Sequence, residues 1–138
     1  MPNKCSNNMK YVKCKDTKIE VKLRLALWHA GIRYRKNVKD IEGKPDIVID
    51  KYRIAIFCDG DFWHGYNVNR SRIHKNKNFW IDKIKRNMRR DDNVTKNLEA
   101  ANWHVVRFWE HEINKDIKSC VRYIQEIIDD IEYNNYEV

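Results

Sequence analysis

The spacing of apolar positions changes along this chain, and each change marks an element. Leu23, Ala26, Leu27 and Ala30 recur at i, i+3, i+4 and i+7, which predicts one buried face of a helix. Ahead of them, Thr17-Lys18-Ile19-Glu20 has the form of a capping box. Gly31 stands where a helix-ending residue belongs. Ile32–Val38 admits a short strand. Asp46–Ile49 and Arg53–Phe57 are short, β-branched-rich runs separated by Asp50-Lys51-Tyr52, and they predict a β-hairpin with the second strand more buried. Asp59-Gly60 ends that strand. Gly65–Asn78 is polar, basic and without period, as an exposed loop would be. A long helix follows over about Phe79–Ala101, then a strand over Trp103–Trp109. The last helix spans Asp116–Tyr133, with Ile117, Val121, Ile124, Ile128 and Ile131 as its stripe. The order α-β-β-β-α-β-α predicts an α/β fold in which helices pack on the faces of a sheet.

At 138 residues, with 42% hydrophobic and 12% aromatic residues, the chain can bury a core of its own. No internal repeat or linker divides it, so residues 1–138 are expected to form a single domain. Within it, 1–15 is a basic N-terminal segment and 115–134 the C-terminal amphipathic helix. No stretch approaches the ~18 apolar residues of a membrane span, and Met1–Lys15 has no apolar signal-peptide centre. The expectation is a soluble cytoplasmic protein. Its four cysteines, Cys5, Cys14, Cys58 and Cys120, form no C-x-x-C pair and are expected as free thiols, with Cys58 a small buried hydrophobe.

Charge is unevenly placed. The net charge is +8, yet Glu110–Val138 holds eight acids and three bases, so the first 109 residues carry +13. Between Gly65 and Lys96, ten Lys/Arg face three Asp. A basic body with an acidic terminal helix suits a polyanionic partner, although a solvated surface has the same composition.

Four features are candidates for chemistry. On the long helix, Ile81, Ile84, Met88, Thr95 and Leu98 form a stripe in which Asp91 fills the remaining position. A carboxylate there is either paired or functional, because burying it alone is costly; otherwise the helix breaks near Asp91-Asp92-Asn93 and Asp91 caps a second segment. Lys44-Pro45-Asp46 enters the hairpin and Asp59 closes it, which places two carboxylates near neighbouring strand ends. Such a pair could share a divalent cation with substrate phosphate, or could merely make turns. Phe62, Trp63 and Trp80 flank the basic loop, where aromatics either stack on bases or pack the core. His64, a few residues past the carboxylates, is a candidate general acid or base. There is no Gly-rich phosphate loop, no G-x-S-x-G, no H-E-x-x-H and no spaced pair of zinc ligands.

Taken in order, Asn8-Met9, Lys15-Asp16-Thr17 with Glu20, Gly31 through Tyr34-Arg35, Gly43-Lys44-Pro45-Asp46, Phe62-Trp63-His64, Phe79-Trp80, Lys83-Ile84, Asn87, Arg90-Asp91 and Trp109-Glu110 resemble the very short patch repair endonucleases. These are relatives of the PD-(D/E)xK restriction nucleases. The match covers roughly residues 7–113, and G-K-P-D together with F-W-H is its most specific part. The resemblance implies a restriction-endonuclease-like central mixed β-sheet flanked by helices. It also implies a Mg²⁺-dependent nick of one strand beside a T·G mismatch in double-stranded DNA.

Carried over by position, the resemblance makes Asp46 the main Mg²⁺ carboxylate, assisted by the backbone carbonyl of Cys58. His64 becomes the catalytic histidine, Asp91 the residue that orients a histidine, and Glu20 a supporting acid. Phe62, Trp63 and Trp80 match aromatics that wedge into the duplex, and Met9 and Asn87 match residues near the mismatched pair. Three departures stand out. A family histidine is here Asp59, which could make it a second metal ligand and removes the expected partner of Asp91. Asp61, Tyr66 and His111 stand at three places where members often hold structural zinc, so no zinc is expected. The superfamily's (D/E)xK lysine is missing, as it is in very short patch repair enzymes generally. The chain is expected to act as a monomer, with mismatch-repair proteins as candidate partners. Two rivals remain open: a DNA endonuclease without mismatch preference, of restriction or mobile-element type, and a non-catalytic DNA-binding module.

Overall fold

The computed structural model describes residues 17–60 and 77–136. Helix α1 runs over Lys18–His29 with Thr17 as its N-cap. The capping box forms as its sequence requires: the Thr17 hydroxyl accepts from the Glu20 backbone N–H, and the Glu20 carboxylate accepts from Thr17. Gly31, at φ +86°, follows the helix in the left-handed conformation.

Three antiparallel strands come next. Strand β1, Arg35–Lys36, is shorter than the Ile32–Val38 segment from which it was expected, and both its residues are exposed. Strand β2, Ile47–Ile49, pairs with β1 and with β3, Ile54–Asp59. The hairpin link is a single 3-10 turn, Asp50–Tyr52, closed by Arg53 at φ 53°. Helix α2, Lys77–Ala100, then crosses over to β4, His104–Trp109, which lies parallel to β3. A parallel neighbour cannot be reached by a tight turn, so the crossover has to be long. The sheet is mixed, in the order β1-β2-β3-β4. Helices α3, Glu110–Lys115, and α4, Ile117–Tyr136, complete the described chain. The predicted last helix is thus preceded by a separate short one. Asp116 ends α3 and accepts from the Ser119 N–H at 3.1 Å in the first turn of α4.

Both faces of the sheet are covered. Side chains on β3 alternate, so Ile54 and Ile56 face α1, α3 and α4 with Leu23, Leu27, Ile113, Ile124 and Ile128. Ala55 and Phe57 face α2 with Leu98. This two-sided burial explains why β2 and β3 read as continuous apolar runs. The result is the α/β architecture of restriction-endonuclease-like proteins. Among the described residues, no helix is long and apolar enough to cross a membrane.

The single long helix expected here forms, which closes the alternative of a break and leaves its buried stripe to be revised. The helix is continuous through Asp91-Asp92-Asn93, so Asp91 caps nothing. Its inward stripe differs from the expected one. Ile84 and Leu98 are buried, but Met88 is 47% exposed and Asn87 is the more covered of the two. The covered side of the helix includes Ile84, Asn87, Asp91, Val94 and Leu98, spaced by alternate steps of three and four as a 3.6-residue turn requires. The loop expected over Gly65–Asn78 lies mostly outside the described residues, and its last two positions already belong to α2.

The turn before β2 is held tightly. Lys44 N–H donates to Ile41 O at 3.0 Å, and Gly43 adopts φ +79°. A Cβ at Gly43 would fall onto the Val94 side chain of α2 and crowd Phe57. Gly43→Ala is therefore expected to lower unfolding stability by about 1–3 kcal/mol, from left-handed strain and overpacking together. The check is a lower urea midpoint at unchanged slope.

Candidate active site

Charge is buried at one end of this sheet. Among the described residues, Glu20 at 3%, Arg24 at 8% and Asp59 at 5% exposure are the buried charged side chains. Glu20 and Arg24 belong to the first two turns of α1, and Asp59 ends β3. Groups this costly to desolvate persist only where partners or function hold them.

Asp46 is the half-buried carboxylate at the entrance to β2. Its own N–H donates to Ile56 O at 3.0 Å, continuing the hairpin ladder. Its Oδ2 accepts from the Cys58 N–H at 2.7 Å, a short charge-assisted bond. The hairpin thereby fixes the Asp46 carboxylate against the backbone N–H of Cys58, the residue whose carbonyl the family resemblance sets beside it. The Cys58 thiol is pushed far above its ordinary pKa, first by burial and then by the negative charges of Asp46, Glu20 and Asp59 around it, with Arg24 opposing. Burial and the surrounding negative charge thus disfavour its thiolate form.

Glu20 accepts from the Thr17 hydroxyl at 2.7 Å, and its Oε1 lies 3.9 Å from an Arg24 guanidinium nitrogen. The supporting acid is thus part of a helix cap and an i,i+4 ion pair as well.

Asp59 and Asp91 come together through a residue the sequence reading passed over. Arg107 stands on β4 directly opposite Phe57 in the parallel register. Its Nη1 donates to both Asp59 carboxylate oxygens, at 3.2 and 3.3 Å. Its Nη2 donates to the Asp91 carbonyl at 3.1 Å, and Nη1 lies 3.9 Å from Asp91 Oδ1. Nε donates to the Thr95 hydroxyl at 2.8 Å, and the guanidinium lies over the Phe57 ring, 4.2 Å from its centroid. A lone cation inside WHVVRFW was the available signal, because strand alternation puts Arg107 on the same face as Val105, toward α2.

Asn87, on α2, accepts from Arg90 Nη2 at 2.9 Å. Trp80 lies in the first turn of α2. Met9, Asp61, Phe62, Trp63, His64 and Tyr66 lie outside the described residues. His111, in α3, stacks against Trp109 with ring centroids 6.5 Å apart.

The sequence model of the family described as DNA mismatch endonuclease Vsr matches residues 1–70. That is half of the chain. The chain belongs to the Vsr DNA mismatch endonuclease family. Relatives support this over most of its length. A type II nicking enzyme of Neisseria meningitidis serogroup C, V.NmeDIP, is 41% identical over 131 residues, 94% of this chain and 88% of that protein. V.HpaIIP of Haemophilus parainfluenzae, also a type II nicking enzyme, is 43% identical over 118 residues, covering 84% of each. The DNA mismatch endonuclease Vsr of Escherichia coli K12 is 34% identical over 106 residues, 76% of this chain and 68% of that one. This Vsr-family protein is therefore a DNA endonuclease, and DNA is its substrate.

The raised pKa of Cys58 yields a prediction for this site. In native protein at pH 8, iodoacetamide should leave Cys58 unmodified and should label it fully once denaturant unfolds the chain; peptide mass spectrometry distinguishes the two.

Proposed function

We propose that this endonuclease nicks one strand of double-stranded DNA beside a T·G mismatch, with Mg²⁺ held by Asp46 and the backbone carbonyl of Cys58. The observation that carries the reading is the Asp46 carboxylate, fixed at 2.7 Å by the Cys58 N–H at the charged end of the sheet. These are hard oxygen donors, suited to an ion that takes one or two carboxylates and fills its remaining positions with water and phosphate. Among the described residues, no three His, Cys, Asp or Glu side chains cluster around a common point, and a Mg²⁺ site of this kind needs no such cluster. Bound there, the ion would lower the pKa of the attacking water and take up charge developing on the scissile phosphate.

The chain's own residues do the rest. His64 exchanges a proton at the reacting phosphate. Lys85, Arg86, Arg89, Arg90 and Lys96 are exposed on α2 and make sequence-independent phosphate contacts. Phe62, Trp63 and Trp80 take advantage of a mismatch, because a weakly stacked pair costs less to open. Action at a mismatch is supported by the family's description and by the name of the Escherichia coli relative; T·G as the mismatch comes from the resemblance of the sequence motifs. The names of the nicking relatives speak for single-strand cleavage and favour, as second reading, nicking without mismatch preference.

Two labelled duplexes, identical except for T·G in place of C·G, decide between these. With Mg²⁺, nicking should appear in the mismatched duplex alone, and Asp46→Ala should reduce it by about 100-fold or more while salt-dependent DNA binding persists. Equal cleavage of both duplexes would establish the second reading. Binding without cleavage by wild type would leave a DNA-binding module.

A further inference from the structure

The strongest unassigned feature is the guanidinium between the two carboxylates. Arg107 directs donors at four acceptors on two elements: both Asp59 oxygens at the end of β3, and the Thr95 hydroxyl and Asp91 carbonyl of α2. The fork of an Arg suits this; a Lys point charge could not reach all four at once. Asp59 is 5% exposed, and its carboxylate is engaged on both oxygens by that one nitrogen. The bond lies on the α2 face of the sheet beside Phe57, one residue from the Cys58 backbone that orients Asp46.

We infer that Arg107 is a positioning residue of the nicking site: its guanidinium, rather than a metal ion, is the cation that balances Asp59 and Asp91, holding Asp59 out of the metal site and tying α2 to the end of β3. The inference rests on the Mg²⁺ reading above and deepens it. Asp46 then remains the side-chain ligand, and a fixed positive charge limits how much negative charge the cation meets. The same tie sets the distance between the Asp46–Cys58 pair and the helix that carries Asn87 and Arg90.

The test uses the full-length protein and Mn²⁺ as the probe ion, read by electron paramagnetic resonance without DNA. Variants are Asp59→Asn, Arg107→Lys, Arg107→Met and the double variant Asp59→Asn/Arg107→Met; melting temperature and the nicking rate at saturating DNA are recorded for each. Asp59→Asn should weaken Mn²⁺ binding by about threefold at most and Arg107→Met should tighten it by about as much, because each removes one fixed charge beside the site. The double variant should bind Mn²⁺ as wild type does. Nicking turnover should fall about 10–100-fold in Arg107→Met and in Asp59→Asn, with the double variant no worse than the poorer single one, and Arg107→Lys should recover part of the loss.

Weakening of Mn²⁺ binding by about tenfold in Asp59→Asn would make Asp59 a ligand and overturn the inference. So would a lower melting temperature with turnover and Mn²⁺ affinity unchanged, since the bond would then be structural alone. If Arg107→Met does not fold, Asp59→Asn and Arg107→Lys still decide between these outcomes. If wild type nicks neither duplex, the functional reading fails by itself, and the Mn²⁺ affinities still decide the place of Asp59.

Discussion

Strand β3 has an antiparallel neighbour on one side and a parallel one on the other, and the site depends on that asymmetry. The antiparallel hairpin with β2 returns the chain beside itself, so that Asp46 at its entrance meets the Cys58 N–H near its exit. The parallel pairing with β4 cannot be closed by a turn. It requires the α2 crossover, which lays Asp91 and Thr95 over the sheet face that also carries Asp59 and Arg107. One strand thus gathers groups from three separate parts of the chain at its end.

The surrounding core makes this assembly affordable. Ile54, Ala55 and Ile56 are fully buried, covered by α1, α3 and α4 on one side and by α2 on the other. Apolar burial on both faces stabilises the centre of the sheet, and its end can then hold charged groups that would be costly by themselves. The same arrangement ties stability to chemistry. Gly43 is pinned against Val94, so the turn leading into Pro45-Asp46 is set by α2 as much as by its own sequence. Glu20 serves as a cap for α1 and as one of the carboxylates around Cys58.

The outer surface divides along the lines of the charge asymmetry. Exposed cations outnumber acids along α2 on one face of the sheet, while acids outnumber bases on α3 and α4 on the other. A polyanion is attracted to the α2 side and repelled by the acidic one.

Local pattern alone determined a good deal. The capping box predicted the start of α1 correctly, because capping is satisfied within four residues. Alternation and β-branching located β2, β3 and β4 to within a residue or two, and the G-K-P-D and F-W-H motifs pointed to the family. The exposure of Met88 on α2, the separate helix α3, and the brevity of β1 were decided by packing, since each depends on which neighbour covers a face. Arg107 is the clearest case. In sequence it is one cation in an apolar strand, 16 residues from Asp91 and 48 from Asp59. Its meaning depends on the strand register that sets it against Phe57 and on the helix laid over that face. Short-range rules encode turns, caps and periods; the pairing of one charge with two distant carboxylates exists only once the sheet and the crossover helix have formed.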